Sequence, residues 1–527
     1  MTNHLYYGDN LDVMRAHIDD ASVDLIYLDP PFNSNANYNI LFKSPAGQDS
    51  NAQIQAFEDT WHWNGKAEDA FDQVARSGNT RAFDLLRAMR SFLGDNDMMA
   101  YLSMMAIRLI EMHRLLKPTG SLYLHCDPTA SHYLKLLLDA VFGSDRFVNE
   151  ITWKRTSAHN DSGRFGRNTD IILFYARGQR RVWNDVFLPY TDDYVARFRN
   201  LDPDGRRWMD DNLTAKGLSG GGYDYEYKGC RSLWRLPPES MERLDWEGRL
   251  HFTRNGGIRL KRFLDEAKGM PAQALWEDIR ALNSQAQERL GYPTQKPLGL
   301  LERIIAASSN EGDVVLDPFC GCGTAIHAAQ RLDRRWVGID ITHLAISLIE
   351  KRMRDAFPGI MFTVEGTPKD LSAALDLAER DKYQFQWWAV SMVDALPYGG
   401  RRKGADGGID GIIYFKPDGR RTEKALVSVK GGRHVGVHMI RDLHSAMERE
   451  KAPIGVFISA AMPSRPMETE AAAVGRFHAE ATGKSYPRLQ ILTLAELFQH
   501  RKPDIPWIDG SVLPRAGREA PRQDRLL

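Results

Sequence analysis

Cysteine is scarce in this chain, with four residues among 527. Four cannot staple a protein of this length. Cys126 and Cys230 stand alone, and Cys320 and Cys322, spaced as C-x-C within a glycine turn, lack the second pair that a structural zinc site needs. Reduced thiols are expected. The first residues, Met-Thr-Asn-His-Leu-Tyr-Tyr-Gly-Asp, have neither the basic nor the apolar region of a secretion signal, and no apolar stretch of about 18 residues is present to span a membrane. A cytoplasmic protein with no membrane partner is the expectation. Charge of one sign is also missing: Lys plus Arg and Asp plus Glu are 69 each, so any surface for a polyanion must be local. What remains is ordinary globular composition, 43% hydrophobic and 26% charged. The length suits two to four domains of about 150 residues.

The apolar run Val23-Asp24-Leu25-Ile26-Tyr27-Leu28 leads directly into Asp29-Pro30-Pro31-Phe32. This reads as a strand ending in a rigid turn that carries a carboxylate. Two prolines fix φ near −65° and remove two backbone donors, leaving the carbonyls before them free to accept from a ligand. A flat base with an exocyclic amino group fits: its NH₂ offers two donors for Asp29 and the Pro30 carbonyl, and Phe32 offers a stacking face. A proline-punctuated turn with an incidental aspartate fits the tetrapeptide alone equally well.

A second segment runs Asp313-Val-Val-Leu-Asp317-Pro318-Phe319-Cys320-Gly321-Cys322-Gly323-Thr324 and continues into an alanine-rich stretch. The pattern predicts a short buried strand, a tight glycine turn and a helix. The next strand, Arg335-Trp-Val-Gly-Ile-Asp340, ends in an acid. In nucleotide-binding α/β folds an acid at that place accepts from ribose hydroxyls, while glycines let the backbone approach the ligand. A dinucleotide is disfavoured, because the longer G-x-G-x-x-G is absent and position 326 is Ile.

The two segments together resemble the signatures D-P-P-[YF] and [D/N]-P-F-x-G-x-G-T of amino-methyltransferases acting on DNA. Their order, catalytic motif first and cofactor motif later, resembles the permuted beta class. Tyr7-Gly8-Asp9-Asn10-Leu11 is similar to the segment that approaches the cofactor adenine, Tyr292-Pro-Thr-Gln-Lys296-Pro297 to the one before the cofactor strand, and Leu116-Lys-Pro-Thr-Gly-Ser-Leu-Tyr-Leu124 to the helix-turn-strand after the catalytic motif. The resemblance covers about residues 4 to 370. It implies a Rossmann-like α/β fold dependent on S-adenosylmethionine, with a target-recognition region inserted at about 150–290 in a methyltransferase domain of 1–375. It also implies cofactor contacts by Asp9, Lys296, Asp317, Pro318, Phe319, Gly321, Gly323, Thr324 and Asp340, and catalysis by Asp29, Pro30, Pro31 and Phe32. Double-stranded DNA is the implied partner, and a homodimer is compatible with the family.

These residue types suit that chemistry. The lone pair of an exocyclic amine is delocalised into its ring, and hydrogen bonds to Asp29 and the Pro30 carbonyl favour a pyramidal nitrogen aimed at the methyl donor. Asp29 is expected to orient more than to act as a tuned base. A base within a duplex must be flipped to reach such a turn, at a cost of a few kcal/mol. D-P-P favours adenine N6 by the habit of the family; cytosine N4 presents the same amine.

Residues 33 to 80 read as a loop over the site, rich in Asn, Gln, Ser and Gly, with Asn33 as a candidate DNA contact. Between about 150 and 290 aromatics interleave with Lys154, Arg155, Arg164, Arg167 and further arginines, a modest basic excess that suits phosphate and base contacts. From 376 to 510 a second, smaller α/β domain is expected. Its Gly-Ala-Asp-Gly-Gly-Ile-Asp410 and the strand Ala425–Lys430 resemble Mrr-like domains of the PD-(D/E)xK nuclease superfamily. That resemblance implies Mg²⁺ at Asp410 and a water-steadying Lys430. Ser428 stands where the family has a metal ligand, so DNA cleavage in a combined restriction and modification protein and a non-cleaving DNA-binding or regulatory module both remain open. The tail, 511–527, reads as flexible.

Overall fold

Fully buried strands assemble the sheet that frames the molecule. Val23–Leu28 is buried along its whole length, and its alternate residues serve opposite faces: Ile26 and Leu28 join one apolar core, Leu25 and Tyr27 the other. Val314–Asp317 divides likewise, with Val314 and Leu316 on one side and Val315 on the other. A sheet buried on both faces needs helices on both. Asp97–Leu115 packs into the first core, and Leu298–Ser308, Thr324–Arg331 and His343–Ala356 into the second.

The computed structural model describes residues 2–31, 37–43, 49–58, 62–156, 163, 165–215, 221–266, 268–282, 286, 288–290, 292, 294–398, 408–418, 421–432, 434–480, 483–506 and 519, the side chains of 37–58 excepted. Nine strands lie in the order Leu275–Trp276, Phe147–Lys154, Thr169–Ala176, Leu116–Cys126, Val23–Leu28, Val314–Asp317, Arg335–Asp340, His4–Tyr7 and Thr363–Glu365. Thr169–Ala176 runs antiparallel to both neighbours, and the remaining pairs are parallel. This is a Rossmann-like α/β fold. The four strands from Val23–Leu28 to His4–Tyr7 are adjacent and parallel, so their carboxyl ends, carrying Asp29, Asp317, Asp340 and Gly8, emerge at one edge, where open α/β sheets bind ligands.

Residues 33 to 80 are not simply loop: Asn37–Lys43 pairs with Asp49–Glu58 as a hairpin, and Gly65–Arg76 is a helix N-capped by Asn64. Met99 and Met105 of the helix Asp97–Leu115 are core.

Residues 185–273 form a compact unit of their own. It holds a four-stranded antiparallel sheet, the hairpin Tyr223–Tyr227 with Cys230–Trp234, and the helix Pro238–Trp246, around a small core of Leu213, Trp234, Met241, Leu250 and Ile258. This unit is narrower than the expected insertion, because Phe147–Lys154, Thr169–Ala176 and Leu275–Trp276 belong to the nine-stranded sheet.

The carboxy-terminal part builds a five-stranded sheet, Leu396–Pro397, Gly411–Phe415, Glu423–Lys430, Ile454–Ser459 and Leu489–Thr493. One core gathers Phe385 and Trp388 of the helix Lys382–Met392 with Val427, Val429 and Val456; the other gathers Ile440, Leu443 and Met447 of Val437–Arg449 with Leu426 and Phe457. The four cysteines are free thiols. No helix among the described residues is long and apolar enough to cross a membrane.

Candidate active site

The glycine turn forms because two of its residues adopt conformations that a side chain resists. Gly321 has φ 49° and Gly323 φ 74°. Gly323 caps the helix Thr324–Arg331, and a Cβ there would sit 2.8 Å from Ile349 Cγ1. Its part is to let the turn close against the helix behind it.

In front of the turn lies a cavity of about 260 Å³. Asp9, Asp29, Pro30, Pro31, Lys296, Asp317, Pro318, Phe319, Gly321, Thr324 and Asp340 all line it. Residues more than 300 positions apart in sequence, Asp9 and Asp340 among them, thus meet in one chamber. Gly323 is the expected cofactor residue of the described set that stands outside the lining. Phe32, Asn33 and Arg164 lie outside the described residues, as does the tail apart from Glu519.

Four carboxylates, Asp9, Asp29, Asp317 and Asp340, line the chamber with the Lys296 ammonium and the Arg108 guanidinium. Lys296 Nζ donates to Asp29 Oδ2, so this lysine, expected at the cofactor, is joined to the catalytic motif. Asp29 Oδ1 is buried and has no hydrogen-bond partner among the described residues. Asp317 Oδ1 accepts from Phe319 N at 3.1 Å, and burial pushes its carboxyl well above the usual range. Burial pushes Asp340 up to about 6. Its Oδ1 accepts from Thr342 N and Oγ1 at 2.9 and 2.8 Å, and its Oδ2 from Gly321 N at 3.0 Å. A carboxylate offers about four acceptor positions, so one on Oδ2 is left for a ligand hydroxyl.

Two buried arginines that sequence reasoning missed brace the walls. Arg108 donates to both Asp9 oxygens at 2.9 Å and to Asn10 Oδ1 at 2.6 Å, and Asn10 Nδ2 donates to Pro318 O at 2.8 Å. Asp9 also accepts from Leu11 N to cap the helix Asn10–His17. Its carboxylate is therefore committed to holding the wall. A charged residue within the apolar spacing of Asp97–Leu115 was the available signal. Arg352 donates to Cys322 O at 3.0 Å and to Thr324 Oγ1 at 3.2 Å from behind the glycine turn. A buried chain also crosses the sheet beside the cavity: Tyr27 Oη meets His125 Nδ1 at 3.0 Å, and His125 Nε2 meets Asp170 Oδ2 at 3.0 Å. Thr294, another wall residue, has φ 62°, an uncommon conformation for a β-branched side chain.

The other expected residues have ordinary partners. Lys154 pairs with Glu277 at 2.9 Å and Arg155 with Asp170 at 3.4 Å, whereas Arg167 is exposed. In the carboxy-terminal domain Gln386 Nε2 donates to Asp410 Oδ1 at 3.0 Å, Val429 N donates to Oδ2 at 2.7 Å, and Lys430 Nζ stands 3.8 Å from Oδ2. Glu423, on the same strand as Lys430, pairs with Arg421. The metal expected at Asp410 has no ligand cluster to hold it: no group of three or more His, Cys, Asp or Glu suited to a metal occurs among the described residues. The amide partners on both Asp410 oxygens and the absence of an acid at 428 are the physical reasons.

The fold and this chamber define an α/β protein with a cavity beside an acceptor-rich turn, and comparison with known proteins names the class. The profile of the N6/N4 DNA methylase family matches residues 23–351, and the chain belongs to that family. Residues 390–499 match the profile described as NACHT-associated inactive Restriction Endonuclease 1. The type II methyltransferase M.EcaI of Enterobacter cloacae is 35% identical over 259 residues, 48% of this chain and 57% of that protein. The Mod subunit of the type III restriction-modification enzyme StyLTI of Salmonella typhimurium is 31% identical over 349 residues, 62% of this chain and 49% of that protein. The chain thus spans about half the length of these curated relatives. Among solved structures, the M1.HpyAVI–SAM complex aligns with a TM-score of 0.31 at 16% identity, over 66% of this chain and 98% of that one.

Proposed function

We propose that this protein transfers a methyl group from S-adenosylmethionine to N6 of adenine in duplex DNA, the target base being flipped into the chamber. The observation that carries the reading is the convergence of Asp29 and Pro30 with Asp317, the glycine turn and Asp340 on one cavity. Membership of the N6/N4 family supports an exocyclic amine as acceptor, and the aspartate of D-P-P supports adenine.

The residues suit the cofactor. Asp340 keeps an acceptor position for a ribose hydroxyl, and Gly321 brings backbone to the cavity. When bound, S-adenosylmethionine supplies the electrophilic methyl carbon. The chain's own work is to prepare the nucleophile. Asp29 Oδ1, buried and unpaired, is an acceptor of the kind one amine hydrogen requires, and the Pro30 carbonyl can take the other. Lys296 holds the opposite carboxylate oxygen, which fixes the plane of Asp29. The proton shed by the methylated nitrogen passes to Asp29 or water.

In this reading residues 1–375 are the methyltransferase, with recognition of duplex DNA by the region at about 150–290 aided by Arg155 and Arg167. Residues 376–510 are a nuclease-like module that does not cleave, and 511–527 are a tail. The protein would work in the cytoplasm beside its DNA.

Incubating duplex DNA with methyl-labelled cofactor and digesting it to nucleosides tests the reading. Label in N6-methyladenine is expected. Label in N4-methylcytosine overturns the adenine assignment, and no label overturns methyl transfer. Magnesium-dependent strand breaks that vanish in Lys430→Ala overturn the non-cleaving assignment.

A further inference from the structure

The helix Lys382–Met392 is apolar on nearly every side, with Phe385, Trp387, Trp388, Ala389 and Val390 buried, yet it carries two glutamines committed to opposite tasks. Residues two apart on an α-helix point about 200° away from each other, so Gln384 and Gln386 face different neighbours. Gln384 is 5% exposed, and its Oε1 accepts the backbone N–H of His343 at 3.2 Å. That N–H is one of the orphan donors at the start of the helix His343–Ala356. Gln386 donates to Asp410.

His343 stands next to the cofactor edge of the cavity. Thr342, the residue before it, holds Asp340 through its N–H and hydroxyl. The His343 ring stacks on Tyr7 with centroids 3.6 Å apart and planes 22° from parallel. Tyr7 leads into Gly8, which lines the cavity and donates its N–H to the Asp340 carbonyl at 3.0 Å. Burial lowers His343 to about 3, so the ring is neutral, and its Nε2 has no partner among the described residues. Stacking on Tyr7 and the bond from its backbone to Gln384 help to set its place. A shift of His343 moves Thr342 and Gly8 together, and with them both sides of Asp340.

We propose that Gln384 is a positioning residue of the cofactor site, and that Asp410, in a nuclease-like centre without a metal cluster, now anchors the helix that presents it. The nuclease-like domain then serves methyl transfer by bracing the wall around Asp340. This rests on the reading of the cavity as an S-adenosylmethionine site.

Calorimetric titration of the full chain with S-adenosylmethionine tests it. Gln384→Met keeps the volume of the side chain and removes the acceptor, and Gln384→Glu keeps an acceptor. If the hydrogen bond to His343 N holds the wall in its binding geometry, its loss predicts cofactor affinity roughly tenfold weaker in Gln384→Met, with duplex affinity unchanged, a modestly lower thermal unfolding midpoint from the unsatisfied N–H, and most of both restored in Gln384→Glu. Asp410→Ala is expected to weaken the cofactor by about threefold, as coupling through a packed helix does, and Asp410→Asn to stay near wild type. Cofactor affinity in Gln384→Met within twofold of wild type overturns the proposal, as does weakening of cofactor and duplex binding by the same factor. Gln384→Met weakened while Asp410→Ala is unchanged overturns the anchoring role of Asp410. A wild-type chain that binds no S-adenosylmethionine overturns the methyl-transfer reading and this proposal with it.

Discussion

Lys296 reaches across 267 positions of sequence to donate to Asp29, and both side chains are largely buried, 8% and 17% exposed. The pair ties the motif before the cofactor strand to the acceptor turn. Removing the ammonium strands a buried carboxylate, which costs about 3 kcal/mol in comparable pairs. Lys296→Met should therefore lower stability by about that amount in urea unfolding, and Asp29→Asn added to it should recover part of the loss. Additive losses in the double variant would refute the pairing.

Asp29→Asn keeps one acceptor oxygen and loses the charge. Methyl transfer is expected to fall by at least about a hundredfold, the scale seen when one preorganised electrostatic group is removed. Cofactor affinity should stay within about threefold, because Asp340 and the glycine turn are untouched. Titration with cofactor alone and single-turnover transfer to duplex separate the two effects.

Asp340 links the site to pH. Its folded-state value of about 6 lies above that of an ordinary carboxylate, so the folded chain binds the proton more tightly than the unfolded chain. Its contribution to stability is then greatest below about pH 4, declines as pH rises to about 6 and is flat beyond. Cofactor affinity runs the other way, since ribose hydroxyls need the ionised acceptor. A gain of roughly tenfold is expected between about pH 5 and 7, in step with the ionised fraction. The step should vanish in Asp340→Asn; its persistence there would assign it to another group.

Two glycines separate backbone strain from crowding. Gly312 has φ 80° and faces open space where a Cβ would stand, while at Gly323, φ 74°, a Cβ would meet Ile349. Gly312→Ala should cost only the left-handed conformation, about 1–2 kcal/mol. Gly323→Ala adds overpacking of about 1–3 kcal/mol and should weaken cofactor binding as well. Equal unfolding midpoints for the two variants would show that the turn yields without cost.

Much of this protein is local in origin and was therefore legible. The strand before Asp29, the glycine turn from Asp317 to Thr324 and the acid at Asp340 follow from apolar runs, φ-restricted prolines and φ-permissive glycines, all properties of neighbouring residues. The hairpin within 37–58 was missed although Tyr38, Ile40 and Phe42 alternate along its first strand, because the surrounding Asn, Gln, Ser and Gly read as loop.

Which side chains share an atom was settled by packing. Lys296 at Asp29, Arg108 at Asp9, Gln384 at the His343 amide and Gln386 at Asp410 join elements far apart in sequence. A partner is chosen where buried polar groups must satisfy one another, and periodicity carries no information about which groups those will be. Neighbouring residues alone dictated the buried strands, their turn chemistry and the acids at the sheet edge. The folding of distant segments onto that sheet dictated that Asp9 braces a wall, that Lys296 meets Asp29 and that Gln386 meets Asp410.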